Sequence, residues 1–375
     1  MLVVFFICSI LAYVIVIGLL RYGIDQVPTP SFEHTESKTH FTVIIPFRDE
    51  AENLPHLLAS VSNLKYPDTL FEVLLVNDDS RDASVAVIES QSSSTSKTIR
   101  VINNQRTSNS PKKDAITTAI AFAKHEWIVT TDADCILPEF WLATFDDYIQ
   151  NQHPDCIVAP VNYHGETSVF NRFQTLDVLS LQGATIGSFG IHKPLMCNGA
   201  NFAYRKTTFE AVNGFEGNTN IASGDDMFLL EKLIDHTPQN VHYLKAENAI
   251  VSTRLAEDFK SLIQQRIRWA SKASRYKFWF SKLVGLVIFA GNLVFLALLI
   301  ALIWPYIPIE ISLSLLVLKW SIDLLLLYKT TRFFKQESQL RTYLLSSLLY
   351  PLFNVSIALL SLFTTYQWKG RRFKQ

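Results

Sequence analysis

Apolar and polar positions divide this chain into three regimes. Residues 2–20 form an uncharged apolar run, long enough as a helix to cross a bilayer. Three more such stretches follow in the C-terminal third, near 280–303, 309–327 and 343–365. Between them the pattern changes to short β-rich runs, "HFTVIIPF" (40–47), "FEVLLVND" (71–78) and "EWIVTTDAD" (126–134), each ending in polar residues. Apolar residues at helical spacing occupy 52–64 and 113–123. Strand and helix alternating in this way predict βαβ units, an α/β fold with a mostly parallel sheet flanked by helices. In such sheets ligands bind beyond the carboxyl ends of the strands, where "NDDSRD" and "DAD" fall.

Composition sharpens this division. Hydrophobic residues make up 49% of the chain and charged residues 18%, an apolar balance that the four long runs account for. Lys+Arg 34 equals Asp+Glu 34, so no basic field points to nucleic acid. The first run has no basic residue before it and no small-residue cleavage pattern after it, which favours a retained anchor over a signal peptide. Cys8, Cys135, Cys156 and Cys197 are scattered without metal or disulfide spacing and read as small buried residues. The expected organisation is an anchor (1–21), a catalytic domain (40–255), an interfacial helix (256–279), membrane segments (280–366) and a basic tail (367–375).

No G-x-G-x-x-G and no G-x-x-x-x-G-K-[ST] occurs, so a nucleotide's phosphates must be held without those loops. Asp132 and Asp134, one residue apart at a strand end, offer a divalent cation that would bridge to phosphate, although a bare D-x-D is also an ordinary solvated turn. Asp225 and Asp226 follow a Ser-Gly turn at the mouth of the helical stretch "FLLEKLIDH". Alone they read as a helix cap.

In order along the chain stand "TVIIPFRDEAENL", "VNDDSRDAS", "KKDAITTAI", "DADC", "SGDD" and "QQRIRW". This series resembles the family 2 inverting glycosyltransferases of the GT-A group, which includes cellulose, hyaluronan and poly-N-acetylglucosamine synthases and ceramide glucosyltransferases. The resemblance covers roughly 42–269 and implies a GT-A nucleotide-sugar-binding fold with N- and C-terminal transmembrane helices. It implies that Pro46, Asp78, Lys113, Asp132, Asp134 and Arg268 bind a UDP-sugar donor, with Mg2+ or Mn2+ on Asp134 and Asp132. Asn77 and Asp79 depart from the family's usual Asp-Asp-Gly-Ser; Asp79 and Asp82 read as turn and helix caps, and Lys112 as a solvated neighbour of Lys113. Asp226 aligns with the catalytic base, and Asp225 supports it by raising its pKa through like charge, or serves only as a cap. Asn198, Asn201, Gln265 and Trp269 are the expected acceptor contacts; Arg268 and Trp269 also suit a plain interfacial anchor.

Trp269 precedes the next apolar stretch by about ten residues, roughly 15 Å of helix. A reaction centre that close to the bilayer points to a lipid or glycan acceptor at the membrane. A processive polysaccharide synthase of the same family is the alternative, and a non-catalytic nucleotide-sugar-binding protein a more distant one. Arg21 after the first run, and the basic residues Lys329, Arg332, Lys335 and Arg341 in a later loop, place the catalytic domain in the cytoplasm of a cell (inner) membrane. Pro351, with Ser346, Ser347 and Asn354, predicts a kinked or re-entrant last segment. The tail "WKGRRFKQ", similar to a C-terminal motif of hyaluronan synthases, is then expected on the cytosolic side, with Trp368 and Arg371 near the donor site.

Overall fold

The computed structural model describes residues 1–32, 36–92, 97–166, 168–272, 275–369 and 371–373. The chain opens with helix α1 (Leu2–Gln26), then β1 (Phe41–Phe47), α2 (Leu54–Ser62), β2 (Phe71–Asn77), α3 (Ser84–Ser92), β3 (Ile99–Asn103), α4 (Pro111–Phe122) and β4 (Trp127–Thr130). It continues through α5 (Trp141–Gln152), β5 (Cys156–Val158), β6 (Val161–His164), α6 (Val169–Gly190), β7 (Phe202–Arg205), α7 (Lys206–Ala211) and α8 (Asp225–His236). The last part holds β8 (Val241–Tyr243), β9 (Val251–Arg254), α9 (Phe259–Ala270), α10 (Trp279–Ile303), α11 (Ile309–Phe333), α12 (Tyr343–Phe363), β10 (Tyr366–Trp368) and β11 (Arg371–Phe373).

Seven strands form one sheet in the order β3-β2-β1-β4-β7-β5-β8, with β6–β9 and β10–β11 as separate pairs. The first four strands are mutually parallel, and β7 is antiparallel to both its neighbours. Chain order reverses around β1, whose neighbours are β2 and β4, so a crevice opens beyond their carboxyl ends. Parallel register opposes Phe47 to Asn77 and Ile44 to Thr130, which brings Pro46, Asp78 and the 132–134 segment to that one edge.

The strands read as unbroken apolar runs because the sheet is covered on both faces. Phe41, Val43 and Ile45 of β1 enter a core with α2 and α5. Ile44, Leu74, Ile128, Phe202 and Tyr204 point the other way, into a core that also contains Tyr13, Ile17 and Leu20 of α1, Val284 of α10 and Leu326 of α11. The sheet and the long apolar helices therefore share one hydrophobic core.

Among the described residues, four helices are long and apolar enough to cross a membrane: Leu2–Gln26, Trp279–Ile303, Ile309–Phe333 and Glu337–Phe363. The first packs on α6 through glycines. A Cβ at Gly187 would lie 1.9 Å from the Leu20 carbonyl oxygen, and one at Gly190 1.9 Å from that of Gly23. Such a backbone-to-backbone crossing admits no side chain.

The last apolar segment is a single helix with Pro351 inside it, not an interrupted one. Asn354 accepts a hydrogen bond from Asn292 Nδ2 of α10 at 3.2 Å, which gives the polar group a partner among apolar neighbours. Both flanks of α12 are fastened to the sheet domain. Before it, Gln336 Nε2 donates to the Tyr163 carbonyl at 3.1 Å and Arg172 to that of Ser338; after it, Arg371 pairs with Asp78. The expected return of the chain is thus achieved by the flanks rather than by a break at proline. The side chain of Trp368 lies outside the described residues.

Two outcomes follow from these packings. Gly187→Ala destabilises the fold by about 1–3 kcal/mol, the usual cost of overpacking, read as a lowered unfolding temperature in detergent; an unchanged transition would show that α1 is not seated on α6. Single cysteines at Ser90 and at Gln375 (the latter outside the described residues), in a background without native cysteines, label from the same side of the membrane with an impermeant maleimide. Labelling from opposite sides would mean that α12 crosses.

Candidate active site

The crevice beyond β1, β2 and β4 is a cleft of about 190 Å³ lined by Pro46, Arg48, Glu50, Asp78, Lys112, Asp132, Asp134, Arg268 and Lys369. Asp78 is buried, yet four side chains converge on it. Asn104 Nδ2 donates to its carboxylate at 2.7 Å, Arg106 lies 3.5 Å away and Arg371 pairs with the second oxygen, while Arg48 Nη1 donates to the carbonyls of Asp78 and Asp79 at 2.6 and 2.9 Å. Asp79 has φ 62, the left-handed region that aspartate tolerates better than most residues. That explains how it stands where glycine is usual. Asn77 Oδ1 accepts from Ser80 N at 2.9 Å, and Asp82 accepts from Ser84 N at 3.0 Å and Ala51 N at 2.9 Å, so both shape the turn.

Asp134 faces the cleft with its carboxyl pushed up to about 6, first by burial and then by the nearby charges of Asp132 and Glu50. A carboxylate held at that cost is poised for a cation. Among the described residues no group of three or more His, Cys, Asp or Glu side chains closes around a metal position. The acids present fit a divalent ion that takes few protein ligands and completes its shell with phosphate and water oxygens.

Two lysines at the start of α4 divide differently from expectation. Lys113 is fully buried and turned away from the cleft, its Nζ donating to the carbonyls of Asn218 at 2.7 Å and Ile221 at 3.0 Å above the Phe228 ring; burial pulls it down to about 8. It does not reach the donor crevice. Lys112, one step (about 100°) round the helix, lines the cleft instead of facing solvent. Its Nζ lies 2.5 Å from Asp132 and 3.3 Å from Asp225. Burial alone would lower Lys112, but these two carboxylates raise it well above the usual lysine range.

Asp225 and Asp226 form the first turn of α8. The cap itself is Gly224 with φ 83, so neither aspartate is the cap, and a glycine is what that backbone requires. Asp226 accepts from Met227 N at 2.8 Å and Gly199 N at 3.3 Å, with Lys272 Nζ 3.5 Å away. Burial would raise its carboxyl, but Lys272 and Lys112 outweigh burial and hold it below the usual range. The expected raising of its pKa is overturned because Lys272 and Lys112, with the backbone N–H groups of Met227 and Gly199, outweigh what raises it. Asp226 is accordingly ionised and able to accept a proton.

On α9, Arg268 lines the cleft. Gln265 accepts from the Tyr163 hydroxyl at 3.3 Å and from Arg266, whose guanidinium stacks 4.2 Å over the Trp269 ring. Arg266 Nε in turn meets Asp177 of α6 at 2.6 Å. Asn198 caps a turn by accepting from Ala200 N at 3.0 Å. Asn201 is not an acceptor contact. It is wholly buried, accepting from Trp141 Nε1 at 3.0 Å and donating to the carbonyls of Pro160 and Ala249, each at 2.7 Å. Its amide is a structural knot. Reading the sequence missed Lys272, Arg266, Glu50 and Arg48, of which "PFRDE" and "QQRIRW" contained the last three without marking them.

The family model for glycosyl transferase family 2 matches residues 42–212. No curated protein matches the sequence. Among solved structures, the mannosyltransferase PcManGT from Pyrobaculum calidifontis, in complex with GDP-Man and Mn2+, is 18% identical with a TM-score of 0.61, and the match covers 94% of this chain and 99% of that one. At that identity the likeness is one of fold. S. aureus TarS 1–349, in complex with UDP-GlcNAc, is 14% identical with a TM-score of 0.44, covering 90% of this chain and 97% of that one. Residues 42–212 are a glycosyl transferase family 2 domain on a mostly parallel GT-A sheet, and the chain is a glycosyltransferase.

Proposed function

We propose that this glycosyltransferase moves a sugar, with inversion, from a UDP-sugar to a membrane-associated acceptor, a glycolipid or a lipid-linked glycan. The observation that carries the reading is Lys112, which spans Asp132 of the donor cleft and Asp225 beside the base in one ion-paired bridge. Donor phosphates and base are thereby neighbours, as a direct displacement requires.

In this reading Asp78 meets the base of the donor, while Asp132 and Asp134 would hold Mg2+ or Mn2+. When bound, the ion stabilises the negative charge that develops on the leaving diphosphate. Arg268, on the wall of the same cleft, offers the diphosphate charge-assisted hydrogen bonds. Asp226 takes the proton from the acceptor hydroxyl, whose oxygen bonds to the anomeric carbon as the carbon–oxygen bond to the diphosphate breaks on the opposite face. Gln265 and Trp269, held in place by Arg266, present an amide and a flat apolar face to the acceptor.

The shared core of sheet and membrane helices supports an acceptor drawn from the bilayer. The fastening of both flanks of α12 leaves few full crossings, which favours this over a conduit for polymer. Basic loops on the side of the sheet domain support a cytoplasmic catalytic face of a cell membrane.

Asp226→Asn lowers transfer by about 10²–10⁴-fold, the range for loss of a general base, with UDP affinity nearly unchanged. Retention of more than about a tenth of turnover would leave Asp226 a structural residue. Excess EDTA abolishes transfer, Mn2+ or Mg2+ restores it, and Asp134→Ala loses the metal-dependent part of UDP binding measured by calorimetry. Metal-independent UDP binding identical in the two proteins, with activity surviving EDTA, would remove the ion from the site.

A further inference from the structure

A second cavity, of about 100 Å³, lies among the membrane helices rather than in the donor cleft. Its walls include Ile17 of α1, Ala184 of α6, Ile288 of α10 and Leu327 of α11. Near the sheet domain its rim is polar, with Asp177, Ser180 and Ser346. At the far end Lys319 and Asp323 close it as an ion pair of 2.8 Å, with Tyr13 donating to Asp323 at 2.7 Å. Charges inside a bilayer are costly and are kept where they line a functional space. Between these polar groups the apolar walls of such a space admit small apolar groups such as a stretch of alkyl chain.

Two connections tie the cavity to the reaction centre. Met196 lines it, three residues before Gly199, whose N–H donates to Asp226 at 3.3 Å. Asp177 on its rim holds Arg266, which in turn holds Gln265 and Trp269. The cavity wall is thus linked to the base through the 196–199 segment and to the acceptor-facing helix through the Asp177–Arg266 pair. The gradient from polar rim to apolar wall matches an amphiphile with its hydroxyl-bearing head toward Asp226 and its chain among the helices. The half-buried Ser347, which lines the cavity, and the outward leucines of α12 give such a chain a way in from the bilayer.

We propose that this cavity, framed by Ile17, Asp177, Ala184, Lys319 and Asp323, is the binding site for the hydrocarbon chain of a lipid acceptor. The proposal rests on the reading above that the acceptor is membrane-associated. The Lys319–Asp323 pair forms a floor that an alkyl chain gains nothing by touching, so it limits how far the chain enters.

The test uses the full chain in phosphatidylcholine nanodiscs with a long-chain alcohol carrying a mid-chain diazirine. Photolabel is expected on α6 and α11 peptides facing the cavity, competed by native lipid extract but not by added phosphatidylcholine. In parallel, Ala184→Phe, which fills the cavity, lowers transfer from UDP-sugar to extracted lipid by about tenfold or more, with UDP affinity as the check on folding. Transfer by the wild type with label confined to outward positions such as Leu286 and Leu313 would overturn the cavity alone, as would equal competition by phosphatidylcholine. Absence of any transfer to extracted lipid by the wild type, with the cavity saturably labelled, would overturn the membrane-acceptor reading and the proposal with it.

Discussion

The arrangement depends on one packing fact: a face of the central sheet has no water to return to. Ile44, Leu74, Ile128 and Tyr204 lie against the same core as Leu20 of α1 and Leu326 of α11. Separating the domain from the membrane helices would expose all of that surface, at roughly 25 cal/mol for each Å² of apolar area. The donor crevice is therefore not tethered to the bilayer by a linker but built onto it. The glycine crossing of α1 and α6 serves the same end, since helices that meet backbone to backbone hold a fixed depth.

Charge balance sets the second constraint. Five carboxylates (Glu50, Asp132, Asp134, Asp225 and Asp226) stand around the reaction centre, and ionising them together costs free energy unless cations intervene. Lys112 and Lys272 neutralise the base end, so Asp226 stays ionised. At Asp134, burial and the charges of Asp132 and Glu50 outweigh the relief that Lys112 gives, and its carboxyl rises to about 6. The protein has neutralised the carboxylates that must act as anions by themselves and left one in need of a cation. In the proposed function, that asymmetry separates the proton acceptor Asp226 from the cation-binding acid Asp134 in the same site.

How much of this could be read beforehand follows from which forces act locally. The strands β1, β2 and β4 were legible because burial on both faces leaves an unbroken apolar run, and the membrane helices because length and hydropathy suffice. The antiparallel strand β7 was not: its four residues lie in "CNGANFAYRK", where polar neighbours suggest a loop and only the pairing with β4 and β5 makes a strand. Asn201 misled for the same reason, since an amide saturated by three partners distant in sequence looks on paper like a sugar contact. Lys112 and Lys113 differ by one step around α4, and helix rotation is fixed by the core that Ala115 and Ala119 join, not by anything in the dipeptide. Lys272 became visible only once α9 and α8 were brought together.

The tail shows how sequence and fold divide the work. "WKGR" gave the direction, toward the donor site, but not the partner. Arg371 meets the carboxylate of Asp78, and Lys369 meets Glu50 and the carbonyl of Asp49. These contacts close the hairpin β10–β11 over the ends of β1 and β2, where the donor's base is proposed to sit. Asp78 already holds Asn104, Arg106 and Arg371, so a base arriving there would compete with an amide and two guanidinium groups rather than with water. In the proposed reading, displacing Arg371 would free a guanidinium for the donor's diphosphate, and such an exchange costs less than breaking a buried ion pair outright. In the proposed reading the hairpin would then keep both anions partnered, since Arg106 stays beside Asp78 when Arg371 turns to the diphosphate.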